Sequence, residues 1–379
     1  MEHRQWPLEL HITTVDYKRK DPVFWIEAIT TLTKYKAKQR RFPRYYTELQ
    51  KLHQHLIATL EDTFIPALPS CPVARYDKEG QLLDRCWWFN VDFAGQPTNR
   101  RDTVPLDMKI QRWLDRIARH EHSQQSEGLR EFVESEVGFR PHLKRERKLR
   151  VKSLATASEH DMEPSFTPWY THLEETHRHL TQLQLQMERL DKGFKDVARA
   201  YVDFTSDLVP YGSMERNPEL FITYKDLAKG CQLLSHIEQW QGIAATETLG
   251  DEISYQIANN EAAQGSMRRR LHALSDYMSS RKQTEHCLRI VERLKSSVNI
   301  DKRQANDAIA DLEMARRIER DTEQRYERIN RGLQEDLENE YRPSVSQDML
   351  AAVKDYARSQ LYLEKQKLAI WQDIARKRN

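Results

Sequence analysis

The chain has 379 residues, of which 31% are charged, 39% are hydrophobic and only 11 are glycine. This balance is typical of long solvent-bathed helices and argues against a large compact catalytic domain. The formal net charge of +2 means that attraction to an anionic surface must come from local patches. The chain starts without an apolar signal segment and carries no run of about eighteen apolar residues, so we expect contact with a bilayer to be peripheral.

The first 140 residues are predicted to form a small domain that mixes strands and helices. Apolar alternation from Leu8 onward predicts three strands, the third spanning Ile29 to Tyr35. A helix is expected from about Tyr46, because leucines then repeat every three or four residues. The proline-rich segment 64–72 cannot continue that helix, so it is predicted to be an exposed, stiffened loop. Two short helices are predicted further on, after an insertion that contains Cys86-Trp87-Trp88-Phe89.

Residues 141–166 lose apolar periodicity and carry a run of basic residues. We interpret them as a flexible linker, with a membrane-inserting amphipathic helix as the alternative. Beyond the linker, residues 167–379 carry apolar stripes that predict three long helices. The second is predicted over 219–297, and the third follows a break at 298–301 and is kinked at Pro343.

Six residues of the first long helix fall seven apart and form a predicted dimerisation seam. They are Leu173, Leu180, Met187, Phe194, Tyr201 and Leu208, with Thr176, Leu183, Leu190, Val197 and Phe204 at the intervening positions. Stripes of this length cannot be covered inside one rounded globule. They therefore predict a helical bundle shared with a second copy or a partner subunit.

Basic residues on the second and third long helices are candidates for contact with a membrane. They are Arg268, Arg269, Arg270, Arg281, Lys282, Lys302, Arg303, Arg316, Arg317 and Arg320. Each such cation near an anionic lipid surface contributes about 1 kcal/mol of attraction. Interleaved carboxylates such as Asp311 and Glu313 leave open the alternative of a solvated face held by salt bridges.

Common signatures of catalysis are absent from the sequence: it has no glycine-rich phosphate loop, no H-E-x-x-H and no G-x-S-x-G. His172, His177 and His179 cluster, but their spacings put no adjacent pair on one helix face for a metal. The four cysteines form no C-x-x-C pair, which fits a reducing cytosol. We therefore predict a protein that is not an enzyme and has neither a metal site nor a cofactor.

The order of strands, helix, proline-rich loop and short helices, followed by three long helices, resembles a sorting nexin with a phox-homology (PX) domain and a Bin/amphiphysin/Rvs (BAR) domain. Three stretches, Thr248 to Asp251, Arg293 to Ser297 and Ala308 to Glu313, resemble the sorting-nexin subunits of the fungal retromer coat. The resemblance implies an α+β PX domain over 1–140 and an all-α BAR domain of three antiparallel helices over 167–379.

The same resemblance implies a function. It would be a cytoplasmic protein, peripheral on the endosomal membrane, that dimerises with a sister PX-BAR sorting nexin and binds and tubulates an anionic, phosphoinositide-containing membrane. It would carry the retromer core subunits for retrieval of cargo from endosome to Golgi, and it would not bind nucleic acid. A homodimer, and a coiled-coil tether or cytoskeletal scaffold that does not bend membranes, are the alternatives.

The lipid pocket of the PX domain departs from the pattern of the family. That pattern is Arg-Tyr-x-x-Phe, in which the arginine holds the 3-phosphate through a bidentate fork. Aligning Leu49 with the phenylalanine puts Tyr46 at the tyrosine and Tyr45 at the arginine, with Arg44 one place early. Leu106 stands where a second arginine is expected. We therefore expect weak or absent binding of phosphatidylinositol 3-phosphate, unless the strand slips by one residue and turns Arg44 to the other face.

Overall fold

The computed structural model describes residues 6–17, 19–71, 105–141, 164–296 and 302–376. The described chain divides into two compact units. The first holds residues up to 71, 109–175 and 259–343, and the second holds 105–108, 176–258 and 344–376. The predicted insertion around Cys86, nearly all of the predicted linker and the predicted break at 298–301 lie outside the described residues.

The first unit begins with a three-stranded antiparallel sheet in the order β1-β2-β3. The strands are β1 (Leu8–Asp16), β2 (Val23–Thr30) and β3 (Gln39–Tyr45). The prediction of a third strand over 29–35 is wrong, because β2 takes its first residues and the rest forms the turn into β3. Tyr35 is buried in that turn, at 7% exposure, so it anchors the hairpin and does not continue an alternating strand.

Four helices complete this sheet domain: α1 (Tyr46–Thr59), α2 (Pro105–Arg119), α3 (Glu121–Gln125) and α4 (Glu127–Glu134). Alternate residues of β1 and β2 face the core, and the leucines of α1 are fully buried as their spacing predicts. The edge strand β1 is covered by a side chain: Gln111 Oε1 accepts a hydrogen bond from Ile12 N at 2.7 Å, and its Nε2 donates to Leu10 O at 2.6 Å. This amide satisfies backbone groups of the edge strand that could otherwise pair with a strand of another chain.

Long helices form the remainder of the chain. They are α5 (Thr167–Ser213), α6 (Pro218–Ala245), α7 (Asp251–Lys295), α8 (Lys302–Asp336) and α9 (Arg342–Arg376), with π turns at Thr246–Gly250 and Leu337–Tyr341. The π turn between α6 and α7 keeps the chain helical from Pro218 to Lys295, which agrees with the predicted second helix. The predicted interruption near Pro343 takes the form of the second π turn, placed just before that proline.

The start of α6 follows ordinary capping chemistry. Asn217 accepts a hydrogen bond from Glu219 N at 3.0 Å, and Pro218 occupies the first turn, where its missing N–H costs nothing. The preceding helix, α5, runs past Pro210 and ends at Ser213. Pro210 lies in the last turn, so only a terminal hydrogen bond is lost.

The proline-rich segment is buried, so the prediction of an exposed loop is wrong. Phe64 and Ile65 are 4% and 1% exposed. The few backbone donors that this segment has are met by side chains of the long helices: Phe64 N donates to Asp336 Oδ2 at 2.6 Å, and Ala67 N donates to Asn259 Oδ1 at 3.2 Å. Because these donors are satisfied, the segment can be buried without a large desolvation cost.

Two ion pairs flank this contact. Both Nε and Nη2 of Arg325 donate to the Glu61 carboxylate at 2.8 Å, which is a bidentate arrangement. Arg328 Nε lies 3.4 Å from Asp62 Oδ2. We call this contact, between residues 61–67 and the helices α7 and α8, the joint. It fixes the sheet domain to the part of the helices that belongs to the same unit.

Glycine at position 332 permits the close approach of the joint. A Cβ added there would collide with the carbonyl oxygen of Asp62, whereas a Cβ at Gly265, also inside a long helix, meets nothing within 4 Å. Gly332→Ala is expected to lower the free energy of unfolding by about 1–3 kcal/mol, and Gly265→Ala to raise it by up to about 1 kcal/mol. Urea unfolding measures both changes, and amide exchange at Phe64 and Ala67 locates the first. Equal effects of the two substitutions would show that the joint is not closely packed.

Candidate functional site

Arg44, the displaced cation of the lipid pocket, points into the sheet domain. It is 2% exposed and donates from Nε and Nη2 to Phe132 O, at 2.9 and 2.5 Å, and from Nη2 to Ser135 O at 2.7 Å. Burial lowers the pKa of Arg44, although the nearby Glu48 carboxylate acts in the opposite direction. In the observed register Arg44 pairs with Phe24, so the slip that would turn it outward is not present. A phosphate could reach this guanidinium only if these hydrogen bonds broke.

The two tyrosines of the pocket have different environments. Tyr45 is 40% exposed, and its hydroxyl accepts a hydrogen bond from Arg19 Nη1 at 3.1 Å. Tyr46 is buried, donates to Pro69 O at 2.7 Å and accepts from Cys71 N at 3.1 Å. Burial raises the pKa of Tyr46 to about 12. Leu106, at the second arginine position of the family, is a core residue at 4% exposure.

A cavity of about 270 Å³ opens beside the start of α1. Its lining includes the cations Lys51 and Arg140 but also the carboxylates of Glu48 and Glu136. Glu48 is 8% exposed and accepts hydrogen bonds from Tyr45 N at 2.8 Å and Phe139 N at 2.5 Å. A fixed carboxylate repels a phosphate, so the cavity is poorly suited to a phosphoinositide headgroup.

Arg270 is not part of a membrane-facing patch, and that prediction is wrong. It is fully buried, with its guanidinium carbon 3.9 Å from the centre of the Phe166 ring. Nε donates to Asn330 Oδ1 at 2.5 Å and Nη2 donates to Tyr326 OH at 3.1 Å. A sequence cannot distinguish such a satisfied core arginine from its exposed neighbours, because its partners lie on other helices.

Arg269 is half-buried and belongs to the joint, since its Nη2 donates to Thr63 O at 3.1 Å and to Ser266 Oγ at 3.0 Å. The other basic residues proposed for membrane contact are exposed. They are Arg268, Arg281, Lys282, Lys302, Arg303, Arg316, Arg317 and Arg320. Arg281 lies 3.7 Å from Glu285, in keeping with the salt-bridged alternative at that position. The contact of the exposed residues with lipid stays a prediction.

The predicted dimerisation seam faces the chain's own helices. Leu173 and Leu180 are buried, and Met187, Phe194, Tyr201 and Leu208 are half-buried. Near Phe194 the glycine Gly242 of α6 allows close packing, because a Cβ there would lie 3.3 Å from the Phe194 Cβ. Of the intervening positions, Thr176 is half-buried and the other four are exposed.

Four of these exposed residues form a stripe that we call the α5 stripe. They are Leu183, Leu190, Val197 and Phe204, at 47%, 38%, 46% and 50% exposure. A similar α9 stripe lies opposite the buried Ala352, Ser359 and Leu363 on its helix. It consists of Leu350, Val353, Leu361, Leu368 and Trp371, at 56%, 47%, 58%, 56% and 42% exposure.

Sequence reasoning missed a pair of histidines in the joint. His120 Nε2 lies 3.0 Å from Asp336 Oδ1, and His122 Nδ1 lies 3.8 Å from Asp62 Oδ1. Burial alone would lower the pKa of His120, but the hydrogen bond and charge of Asp336, together with Glu340 and Asp62, raise it above its ordinary value. The sequence signal that could have pointed to the joint is Gly332, because a glycine inside a helix often marks close packing.

Comparison with known proteins agrees with this architecture. Residues 32–136 match the PX domain family, and residues 149–377 match the family described as Vps5 C terminal like. Since the second match spans more than half of the chain, the chain belongs to the sorting nexins that join a PX domain to a BAR-type helical domain. The predicted fold class is confirmed.

Individual relatives give the degree of similarity. Vacuolar protein sorting-associated protein 17 of Schizosaccharomyces pombe is 22% identical over 373 residues, which are 97% of this chain and 64% of the length of that relative. The solved structure of the SNX-BAR Mvp1 tetramer is similar at a TM-score of 0.60 and 12% identity, over 97% of this chain and 99% of that one. At such low identity the structural likeness shows the fold alone.

Neither a membrane-spanning helix nor a metal site is found among the described residues. None of the helices there is long and apolar enough to cross a bilayer. In those same ranges no group of three or more histidine, cysteine or acidic side chains is placed to hold a metal ion.

Replacing Tyr45 with arginine tests the interpretation that the lipid pocket is weak because Arg44 stands one residue early. The side chain at this position is exposed, so Tyr45→Arg should add a guanidinium without disturbing the core. We expect the unaltered chain to show little increase in flotation when about 3% phosphatidylinositol 3-phosphate is added to neutral vesicles, and the variant to show a several-fold increase. Lys51→Arg, at another exposed position beside the cavity, is the control. Strong headgroup-specific binding by the unaltered chain would contradict the interpretation.

The joint is expected to be stronger at acidic than at alkaline pH. A folded-state pKa of His120 above the ordinary value of about 6.5 gives stability that is fully present below that value and is lost as the pH rises through the folded pKa. The difference in urea midpoint between the unaltered chain and His120→Gln should therefore shrink between about pH 6 and pH 9. His286→Gln, at an exposed site on α7, is the control. A difference independent of pH would exclude a charged His120–Asp336 pair.

Proposed function

We propose that this chain is a non-enzymatic sorting nexin of the retromer coat. It dimerises through its helical domain with a sister PX-BAR sorting nexin, binds and tubulates the endosomal membrane, and serves retrieval of cargo from endosome to Golgi. The membership of the family supports the sorting role, and the name of the S. pombe relative, a vacuolar protein sorting-associated protein, supports the pathway. Association with the retromer core subunits is part of the proposal.

The α5 stripe is the observation that carries the proposal. The seam residues of α5 stand three positions before the stripe on a neighbouring part of the same helix surface, and they are buried or half-buried, while the stripe is left uncovered by the described residues. Because the four stripe side chains are about half exposed, covering each one adds roughly half of the 1.5–3 kcal/mol that complete burial gives, and a face of four favours a second subunit. The α9 stripe is a second apolar face of the same kind, which enlarges the area that a partner can cover.

Exposed cations on α7 and α8 supply the membrane contact in this proposal. On α8, Arg316, Arg317 and Arg320 interleave with the exposed apolar residues Met314 and Ile318. Cations attract lipid phosphates, and neighbouring apolar side chains can enter the interface. Since Arg44 is engaged inside the sheet domain, the sister subunit supplies phosphoinositide specificity.

Assembly is tested by placing charges on the α5 stripe. Leu190→Glu combined with Phe204→Glu should leave the chain folded, because both residues are exposed, and should abolish formation of the dimer with a sister PX-BAR sorting nexin. Sedimentation velocity measures the mass of the mixture, and circular dichroism checks folding. Met108→Glu combined with Val137→Glu, at exposed apolar positions away from the helical stripes, is the matched control.

Retention of the dimer in the stripe variant would contradict the assignment of the interface.

A second experiment adds vesicles to the unaltered chain together with its sister sorting nexin. It distinguishes the proposed membrane bending from the tethering alternative. Tubules seen by electron microscopy are expected. Assemblies that leave anionic vesicles spherical and unbound would favour a tether or cytoskeletal scaffold.

A further inference from the structure

The turn between β2 and β3 is strongly basic. Between Ala28 and Thr47 the sequence holds no aspartate or glutamate. Five cations follow one another in the turn and the start of β3: Lys34, Lys36, Lys38, Arg40 and Arg41. We call residues 31–41 the basic hairpin. Thr30 N donates to Lys38 O at 2.8 Å and closes it, so these cations are held on an ordered turn.

Nearby carboxylates offset only part of this charge. Glu134 Oε1 accepts a hydrogen bond from the backbone N of Lys36 at 2.6 Å, and Glu136 lies 4.0 Å from Arg40 Nη2. The side chains of Lys36 and Lys38 are exposed. A positive surface of this kind attracts an acidic partner over about a Debye length, roughly 8–10 Å at ordinary salt.

Lys34 gives an independent sign that an anion belongs here. Its Nζ is shielded from solvent without a hydrogen-bond partner among the described residues, and it lies 5.6 Å from the centre of the Tyr35 ring. The Tyr35 hydroxyl is also buried without a partner there. Burial lowers the pKa of Lys34, with Glu127 opposing and Arg130 reinforcing this effect. An ammonium group left unsatisfied in this way is costly, and a carboxylate that displaced the side chains shielding it would accept its hydrogen bonds.

The position of the hairpin separates it from the lipid pocket. The hairpin precedes β3, and Tyr45 ends β3, which has 7 residues. At about 3.3 Å per residue, the two ends lie roughly 20 Å apart. A bilayer that contacts the Tyr45 end of the sheet therefore lies at the far side of the domain from the hairpin. This placement favours a protein partner over the membrane.

We propose that the basic hairpin binds an acidic segment of a partner protein, with Lys34, Lys36 and Lys38 as the recognition cations. The segment would be rich in glutamate or aspartate, and one of its carboxylates would accept a hydrogen bond from the Lys34 ammonium. The inference goes beyond the proposed membrane function, and its choice of a protein over a lipid partner rests on the bilayer lying at the Tyr45 end of the sheet.

A labelled probe peptide of eight glutamates spaced by serines tests the proposal on the full chain. Its binding is followed by fluorescence anisotropy at about 50 mM salt. Reversal of three exposed charges, Lys36→Glu with Lys38→Glu and Arg41→Glu, should weaken binding about ten-fold or more. Lys34→Met removes one ammonium group without adding charge and should weaken binding several-fold. The matched control reverses three exposed lysines on the long helices, Lys192→Glu with Lys225→Glu and Lys365→Glu, and should change binding less than about two-fold.

Flotation with phosphatidylserine vesicles forms the second arm, and the hairpin reversal should leave it unchanged. Absence of peptide binding by the unaltered chain overturns the proposal, and so does an equal loss in the control triple. A hairpin variant that loses vesicle binding while it keeps peptide binding also overturns it, in favour of a lipid surface. Thermal unfolding of each variant shows that the chain is folded before binding is compared.

Discussion

The structure depends on one constraint: the long helices carry more apolar surface than the described part of the chain covers. On α5 the residues of the predicted seam turn inward, while the residues three positions further on remain at about half exposure. Such a face is stable in water only if something covers it. The second apolar face on α9 has the same need. In the proposed function, assembly with another subunit covers these faces, and membrane contact is a function that the assembled helices add.

The joint explains why the sheet domain and part of the helical domain form one compact unit. A segment rich in proline has few backbone donors, so it is difficult to bury in a sheet and easy to bury against side-chain acceptors. Asp336 and Asn259 provide those acceptors, and Arg325 and Arg328 bind the two carboxylates that precede the segment. The geometry couples the orientation of the sheet domain to α7 and α8.

This PX domain differs from the lipid-binding pattern of its family because its arginine, Arg44, stands one residue early. Moving the arginine by one residue along a strand turns it to the opposite face, because side chains alternate. Arg44 consequently stabilises the interior, where backbone carbonyls of Phe132 and Ser135 accept its hydrogen bonds. The same guanidinium cannot serve the core and a phosphate at once. A domain with this pocket can still orient its unit and present other surfaces, of which the basic hairpin is one.

The sequence predicted what depends on local periodicity. Leucine spacing located α1, and the long apolar stripes identified the helical half, including the helical path through Gly250. It failed where the decisive partner is remote in sequence. The burial of Phe64 depends on Asp336, the burial of Arg270 depends on Phe166 and Tyr326, and neither pairing leaves a periodic signal. Periodicity located two apolar stripes on α5, but it does not say which of them packs within the chain and which stays exposed.

The central claim is that the exposed stripes of α5 and α9 are covered by another subunit. A cryo-EM structure of the full chain assembled with a sister PX-BAR sorting nexin tests it most directly. The account predicts that Leu190, Phe204 and Leu361 are buried against the partner. An assembly in which these side chains remain in water, with the subunits joined elsewhere, would contradict it.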